Sequence, residues 1–253
     1  VSRVVAIHQP DFLPWLGFFV KIAKSDVFVV LDHTENNPRR AFLCKRVSFQ
    51  LPGSVGFLGL VLEHPADGRV SVPLAEMRLA AEMDRNLVKM ERSVEQAYKR
   101  APFFDEVFPL VAEFLRSEEP RLVQRNMMFI DQVLERLAIR PERVYSSTLT
   151  STARAGELVA ELCVLTGGDV YLSGEGGRDY QSPASFESRG IRLAYNHFKP
   201  REYPRFQGGA FVPGLSVVDA LMNLGFAGTA ALVAEEVALS EARARAVGEA
   251  VHP

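Results

Sequence analysis

The chain begins with "RVVAI" (3–7), a run of mostly β-branched residues apolar in successive positions, and "VFVVLD" (27–32) repeats the pattern. Runs that are apolar on both faces belong to inner strands of a parallel sheet. Between them, Trp15, Leu16, Phe19, Ile22 and Ala23 recur at helical spacing with Lys21 and Lys24 interspersed, which predicts a compact strand, loop, helix and strand unit. Segments near 41–50 and 56–62, separated by the turn "LPGS", predict an antiparallel addition to the sheet. From about 74 to 137 the apolar spacing changes to steps of three and four, predicting helices over "LAEMRLAAEMDRNLVKMERSVEQAYKR", "FFDEVFPLVAEFLR" and "EPRLVQRNMMFIDQVLERLAI", punctuated by Pro102 and Pro120. The α/β pattern then returns with a strand at 143–149, a helix at 154–167 ending in Gly-Gly and a strand at 169–174. A Gly-rich loop, an extended "IRLAYNHF", a final helix over "SVVDALMNLG" and an amphipathic tail complete the chain. The expected fold class is α/β with a mostly parallel sheet, one domain over 1–253 carrying an inserted or appended helical layer at about 74–137.

Composition narrows this picture. The chain is 47% AVILMFWYC and 24% charged, ordinary values for a folded domain, and no apolar run approaches membrane-spanning length. No secretion-signal pattern precedes the first strand, so a cytoplasmic location without membrane insertion is the expectation. A net charge of −2 gives no global attraction to nucleic acid, and no DNA partner is expected. Cys44 and Cys163 lie far apart without ligand spacing, which argues against a disulfide framework and a zinc site; no metal is expected.

Chemistry concentrates in a few stretches. In "HQPDFLPWLG", His8 ends the first strand, where open α/β sheets bind ligands, and Pro10 and Pro14 stiffen the loop holding His8 and Gln9. A neutral imidazole there is suited to accept a proton, although a strand-end histidine bonded to backbone would look the same. Asp32 ends the second strand as His8 ends the first, so the carboxylate is a candidate orienter of the ring; an Asx turn is its structural alternative. Arg39, Arg40, Lys45 and Arg46 form the one dense basic cluster, suited to phosphate if it is more than a solvated loop. Cys44 lies inside that cluster, either as an activated thiol or as a small apolar strand residue. In "YLSGEGGRDY", Ser173, Gly174, Gly176 and Gly177 allow close backbone approach and Arg178 adds a cation, though neither a Walker loop nor G-x-G-x-x-G is present. In "PGLSVVDALMNLG", Ser216 is placed to cap a helix, with Asp219 in its first turn and Asn223 on the same face.

Together, "IHQPDFLPWLGFFVKIAKSDVFVVLD", "YLSGEGGRDY" and "FVPGLSVVDALMNLG" resemble the WbqC family of bacterial proteins over roughly positions 4–226. The resemblance implies a role in surface-polysaccharide or natural-product biosynthesis, as a transferase placing glycine or another aminoacyl group on an amine. By position it implies functional roles for His8, Gln9, Pro10, Trp15, Gly17, Asp32, Arg46, Ser173, Gly174, Asp179, Tyr180, Ser216, Asp219 and Asn223. Family members tend to read Asn-Arg-Asn-Arg-Ile where this chain has "LCKRV", so only Arg46 and the aliphatic Val47 keep that pattern. The opening unit is also similar to nucleotidylyltransferase-type (HUP-like) cores, which carry a His-x-Gly-His signature where "WLGF" stands here.

The expected function is therefore transfer of an aminoacyl or acyl group from an activated donor, a carrier-protein thioester or an aminoacyl-tRNA, to a small-molecule amine. Such chemistry requires no resident cofactor; a carrier's phosphopantetheine arm or a nucleotide would be a visitor to the site. His8 is the expected base, Asp32 its orienter, Gln9 or the "SGEGG" backbone the oxyanion donor, and Arg39, Arg40, Arg46 or Arg178 the phosphate contacts. Trp15, Cys44, Ser173, Gly174, Asp179, Tyr180 and Asn223 are the remaining expected substrate contacts. The alternatives are a nucleotidyl-transfer or ATP-dependent ligase enzyme and a non-catalytic module that binds a carrier protein or tRNA.

Overall fold

A computed structural model describes residues 2–39, 42–51, 53–154, 156–179 and 181–249. Its centre is a five-stranded sheet built from β1 (Val4–His8), β2 (Val27–Val30), β7 (Glu142–Tyr145), β8 (Val170–Ser173) and β9 (Arg192–Tyr195). Every pairing in it is parallel. The spatial order is β7-β2-β1-β8-β9, which in chain order of these strands reads 3-2-1-4-5, as in a doubly wound, HUP-like core. The inner strands read as predicted because both faces are covered: Phe28 and Val30 pack into one apolar cluster, and Val5, Ile7, Val27 and Val29 into another.

Helix α1 (Leu16–Ala23) follows β1 and packs with the large cluster, while α6 (Gly156–Leu165) and α7 (Pro183–Glu187) serve the other face. Three helices, α3 (Met83–Tyr98), α4 (Phe104–Arg116) and α5 (Leu122–Arg136), follow one another where helical periodicity placed them, and their apolar faces join the large cluster. Helix α6 ends at Leu165 and turns at Gly167, whose φ of +69° suits a residue without Cβ, and Gly168 N–H closes back on Cys163 O.

Several expectations are corrected. The segment 41–50 is not one strand: α2 (Phe42–Lys45) precedes β4 (Arg46–Leu51), because Leu43 O accepts from Phe12 N–H and Cys44 O from the Asn126 side chain. The hairpin of β4 with β5 (Ser54–Gly59) forms its own two-stranded sheet instead of extending the central one. The first long helix starts at Met83, not near 74. Before it, β6 (Val72–Pro73) pairs with β3 (Glu35–Asn36), and Leu74 and Ala75 donate to Thr34 O and Asp32 O. The strand at 143–149 stops at Tyr145 and becomes a 3-10 turn over Ser146–Thr148.

The last helix, α8 (Val217–Ala246), joins the predicted terminal helix to the tail across a break at Gly225, whose φ of 69° and ψ of 178° are not helical. Ser216 caps it as read, its Oγ accepting from Val218 N–H. By length and composition α8 could cross a membrane, contrary to the sequence reading, but it lies mostly buried, packed with α1 and α4.

Candidate functional site

Chain order in the central sheet reverses between β1 and β8, and ligands of open α/β sheets bind in the crevice above such a switch point. A cleft of about 470 Å³ opens there, lined by His8, Lys21, Trp15, Ser173, Gly174 and Asn196 among others. Larger clefts lie elsewhere, one of about 670 Å³ beside β9 and one of about 710 Å³ near α6, but neither has buried charged groups in its floor.

The loop from His8 to Trp15 is held rigidly. Pro10 O accepts from Asn126 Nδ2 at 2.8 Å, Phe12 N–H donates to Leu43 O at 2.9 Å and Pro14 O accepts from Val217 N–H at 2.7 Å. Leu13, buried and just before a proline, has φ of +43°. A side chain in that region costs on the order of 1–3 kcal/mol and persists only where surrounding contacts impose it. Gly17 lets Trp15 fold back over the helix start, since a Cβ there would stand 2.5 Å from the indole.

His8 Nδ1 lies 2.8 Å from Gln9 O. A carbonyl only accepts, so Nδ1 carries the proton and the Nε2 lone pair is left for the cleft. Burial, reinforced by the Lys21 charge, pushes His8 from 6.5 down to about 3, so the ring is neutral throughout the physiological range. Behind it, Asp11 Oδ1 stands 3.8 Å from His8 Nδ1 and has no hydrogen-bond partner among the described residues. Burial raises this carboxyl to about 8 against the opposing pull of Lys21. Lys21 donates to Ile7 O at 2.9 Å, and burial lowers it to about 8 although Asp11 acts the other way. Near neutral pH the cleft wall thus holds a neutral imidazole and a mostly charged amine, with a mostly protonated carboxyl behind them. Asn196 adds a buried Oδ1 without a partner, an acceptor available to an incoming N–H.

The predicted site residues divide. His8, Trp15, Ser173 and Gly174 line the cleft. Asp32 does not orient His8: His8 pairs with Val30 and its carbonyl accepts from Leu31 N–H, so Asp32 lies beyond the ring's level. Its carboxylate instead accepts from Ser146 Oγ at 2.9 Å, Ser147 N–H at 2.8 Å and Ser147 Oγ at 2.7 Å. Gln9 turns away from the cleft, donating to Thr34 Oγ1 and accepting from the Cys44 thiol, so it supplies no oxyanion contact. Cys44 is fully buried and its thiol is pushed well above 9, which leaves no thiolate to act.

The basic cluster does not converge on the cleft. Arg39 is exposed, Lys45 donates to Pro38 O at 2.6 Å, and the Arg46 guanidinium lies 3.7 Å from the Phe57 ring centre. Arg178 is engaged by Glu175 at 2.9 Å and Glu249 at 2.7 Å, so it is not free for phosphate. Asp179 is exposed and is not part of the cleft wall. Asn223 accepts from Phe206 N–H, pinning a loop to α8. Arg40 and Tyr180 lie outside the described residues.

Sequence reasoning passed over Asp11 and Lys21, yet a signal existed. Helix α1 reads LGFFVKIA, with no polar face, and a helix apolar all round must be buried together with its one lysine. A buried lysine then calls for an acid nearby, and the same motif offers Asp11.

Apart from His8, the residues gathered here lie in a stretch that a family model matches. A curated protein of Mycobacterium tuberculosis (strain ATCC 25618 / H37Rv), the uncharacterized protein Rv1507c, is 25% identical over 226 residues, covering 88% of this chain and 94% of that one. No solved structure matches. The model of the WbqC-like protein family matches residues 9–231, taking in Asp11, Trp15, Lys21, the Ser173–Gly174 turn and Asn196, and the chain belongs to that family.

Proposed function

We propose that the protein is a transferase that moves an aminoacyl or acyl group from an activated donor, a carrier-protein thioester or an aminoacyl-tRNA, to an amine acceptor in sugar or natural-product biosynthesis. The observation that supports this most is the half-buried His8 grouped with the buried Asp11 and Lys21 at the switch-point cleft. The acceptor's nitrogen bonds to the donor's carbonyl carbon as the carbon–sulfur or carbon–oxygen bond breaks; the amine loses a proton and the leaving group gains one. No ATP is consumed.

Each group has a part in that balance. His8 Nε2 and Asn196 Oδ1 accept hydrogen bonds from the amine and aim it. His8, held near 3, is too weak a base to keep the proton, whereas Lys21, near 8, is neutral often enough to take it. The Lys21 ammonium so formed sits under the carbonyl, where a cation in a water-poor site stabilises the developing oxyanion and then protonates the leaving group.

Mass spectrometry of a loaded donor, incubated with an amine and the protein, tests the reading: the donor should be emptied only when the protein is present. Because neutral Lys21 is the reactive form, kcat should rise with pH about a midpoint near 8. A midpoint near 6.5 would give the proton to His8 instead. A nucleotidyl-transfer or ligase reading is favoured by the 3-2-1-4-5 sheet alone, since Trp15 and Phe18 fill the signature's histidine places. Release of AMP or pyrophosphate would replace the first reading with this one, and donor binding without product would make the protein a carrier-binding module.

A further inference from the structure

The cleft of about 710 Å³ near α6 is separate from the one described above, and one of its wall residues, His33, ends a proton-ordering chain that the proposed transfer does not use. Its walls include Leu31, His33, Thr34, Arg154 and Leu158. Asp32, buried at the end of the sheet, receives the Ser146 hydroxyl proton on Oδ1 at 2.9 Å. Ser146 Oγ has then spent its only proton. It accepts Asp32 N–H at 3.0 Å and lies 2.6 Å from His33 Nδ1, so that contact requires the hydrogen to be on the imidazole. The chain runs from His33 Nδ1–H to Ser146 Oγ and from Ser146 Oγ–H to the Asp32 carboxylate. It fixes the ring's plane and tautomer, and the Nε2 lone pair has no partner among the described residues.

Two capacities on this cleft are therefore unspent. His33 Nε2 accepts from a hydroxyl or amine, and the exposed Arg154 guanidinium, without an ion-pair partner among the described residues, receives an anion. Leu31, Ala153, Leu158 and Val159 supply apolar wall between them. Thr34 ties the place to the loop that follows β1, for its Oγ1 accepts from Gln9 Nε2 at 3.1 Å.

We propose that this second cleft binds a small organic anion, a carboxylate or phosphate, that also carries a hydroxyl or amino group, with Arg154 holding the anion and His33 Nε2 the hydroxyl or amine. The assignment stands independently of the transferase reading, because it concerns binding and needs no donor.

The experiment is NMR of the histidine rings in the full chain, titrated with O-phospho-L-serine, L-serine and inorganic phosphate. The ring nitrogens of His33 should show a single tautomer protonated at Nδ1, and Ser146→Ala should release it into a mixture. O-phospho-L-serine should shift His33 saturably with Kd of about 1 mM or below, weakened at least tenfold by Arg154→Ala. L-serine binding as well as its phosphorylated form would name the carboxylate as the anion; much weaker binding would name the phosphate. Arg154 is exposed, so its variant remains informative if substitutions at His33 or Ser146 unfold the chain. A fixed tautomer surviving in Ser146→Ala, no saturable shift with either serine compound, equal response to inorganic phosphate alone, or binding indifferent to Arg154→Ala would each overturn the proposal.

Discussion

Replacing Lys21 by methionine should make the protein more stable at neutral pH and inactive. The amine is 5% exposed, and its fall from 10.5 to about 8 measures the cost of keeping it charged inside. At about 1.4 kcal/mol per pH unit, that cost is roughly 3 kcal/mol near pH 7. Methionine keeps the length and the packing of the stem, and it loses the hydrogen bond to Ile7 O, which contributes about 1 kcal/mol. Asp11 loses the cation that held it down, so it stays protonated and adds no buried charge near neutral pH. The net expectation is stabilisation of about 1–2 kcal/mol at pH 7, a Tm rise of a few degrees for a chain of this size. The folded pKa lies below the unfolded one, so the penalty is full below pH 8 and fades as pH rises from 8 towards 10.5. The advantage of Lys21→Met must therefore shrink over that interval. Urea unfolding of both proteins at pH 7 and pH 9.5, with donor discharge measured in parallel, reads both effects. A variant less stable than the parent at pH 7, or a difference that does not change with pH, would refute the reasoning about burial; undiminished discharge would remove Lys21 from the reaction.

Three further outcomes follow from other parts of the fold. Gly225→Ala should cost at least about 1–3 kcal/mol in urea unfolding, because φ of 69° with ψ of 178° suits glycine and a Cβ would stand 2.7 Å from Phe103; a loss under about 0.5 kcal/mol would mean the helix straightens without strain. Asp219→Ala strips a buried carboxylate from the Tyr98 and Tyr203 hydroxyls, each at 2.7 Å, and from Arg205 at 3.1 Å, so it should destabilise by about 3–5 kcal/mol and expose the chain near Arg205 to protease; unchanged cleavage would show the loop is held elsewhere. Cys44 and Cys163, both fully buried, should resist a thiol reagent in the native protein and react on unfolding; rapid native labelling of Cys44 would restore it as a reactive group.

What could be read from the sequence was whatever repeats. Strands β1, β2 and β8 and the long helices follow from periodicity because each buries a regular face, and Gly167 and Ser216 mark their ends by local chemistry. The segments that escaped are those whose partners are distant. Residues 42–45 coil because Phe12 and Asn126 take their carbonyls, and 74–82 forms only a short 3-10 turn and no α-helix because its backbone is stitched to Asp32, Thr34, Val61 and Pro120. No local propensity reports such competition.

The same distinction explains the two histidines. His8 and Asp32 looked like a pair because both close strands at one edge, but neighbouring parallel strands align their ends by register, and register is not written in either strand alone. With Val30 opposite His8, the carboxylate overshoots into the turn after β7, where two serine hydroxyls donate to it and the ring of His33 donates to one of those serines. His8 is left to the acid two residues past Gln9 and to a lysine carried by a helix with no polar side. One misplaced pairing thus conceals two environments. A buried cluster whose burial moves every group toward neutrality lies under the switch point, and a hydrogen-bonded chain that keeps its carboxylate engaged lies under α6. Substitution at Asp32 should therefore disturb His33 before it disturbs His8, and the two sites can be separated by mutation although they share one edge of the sheet.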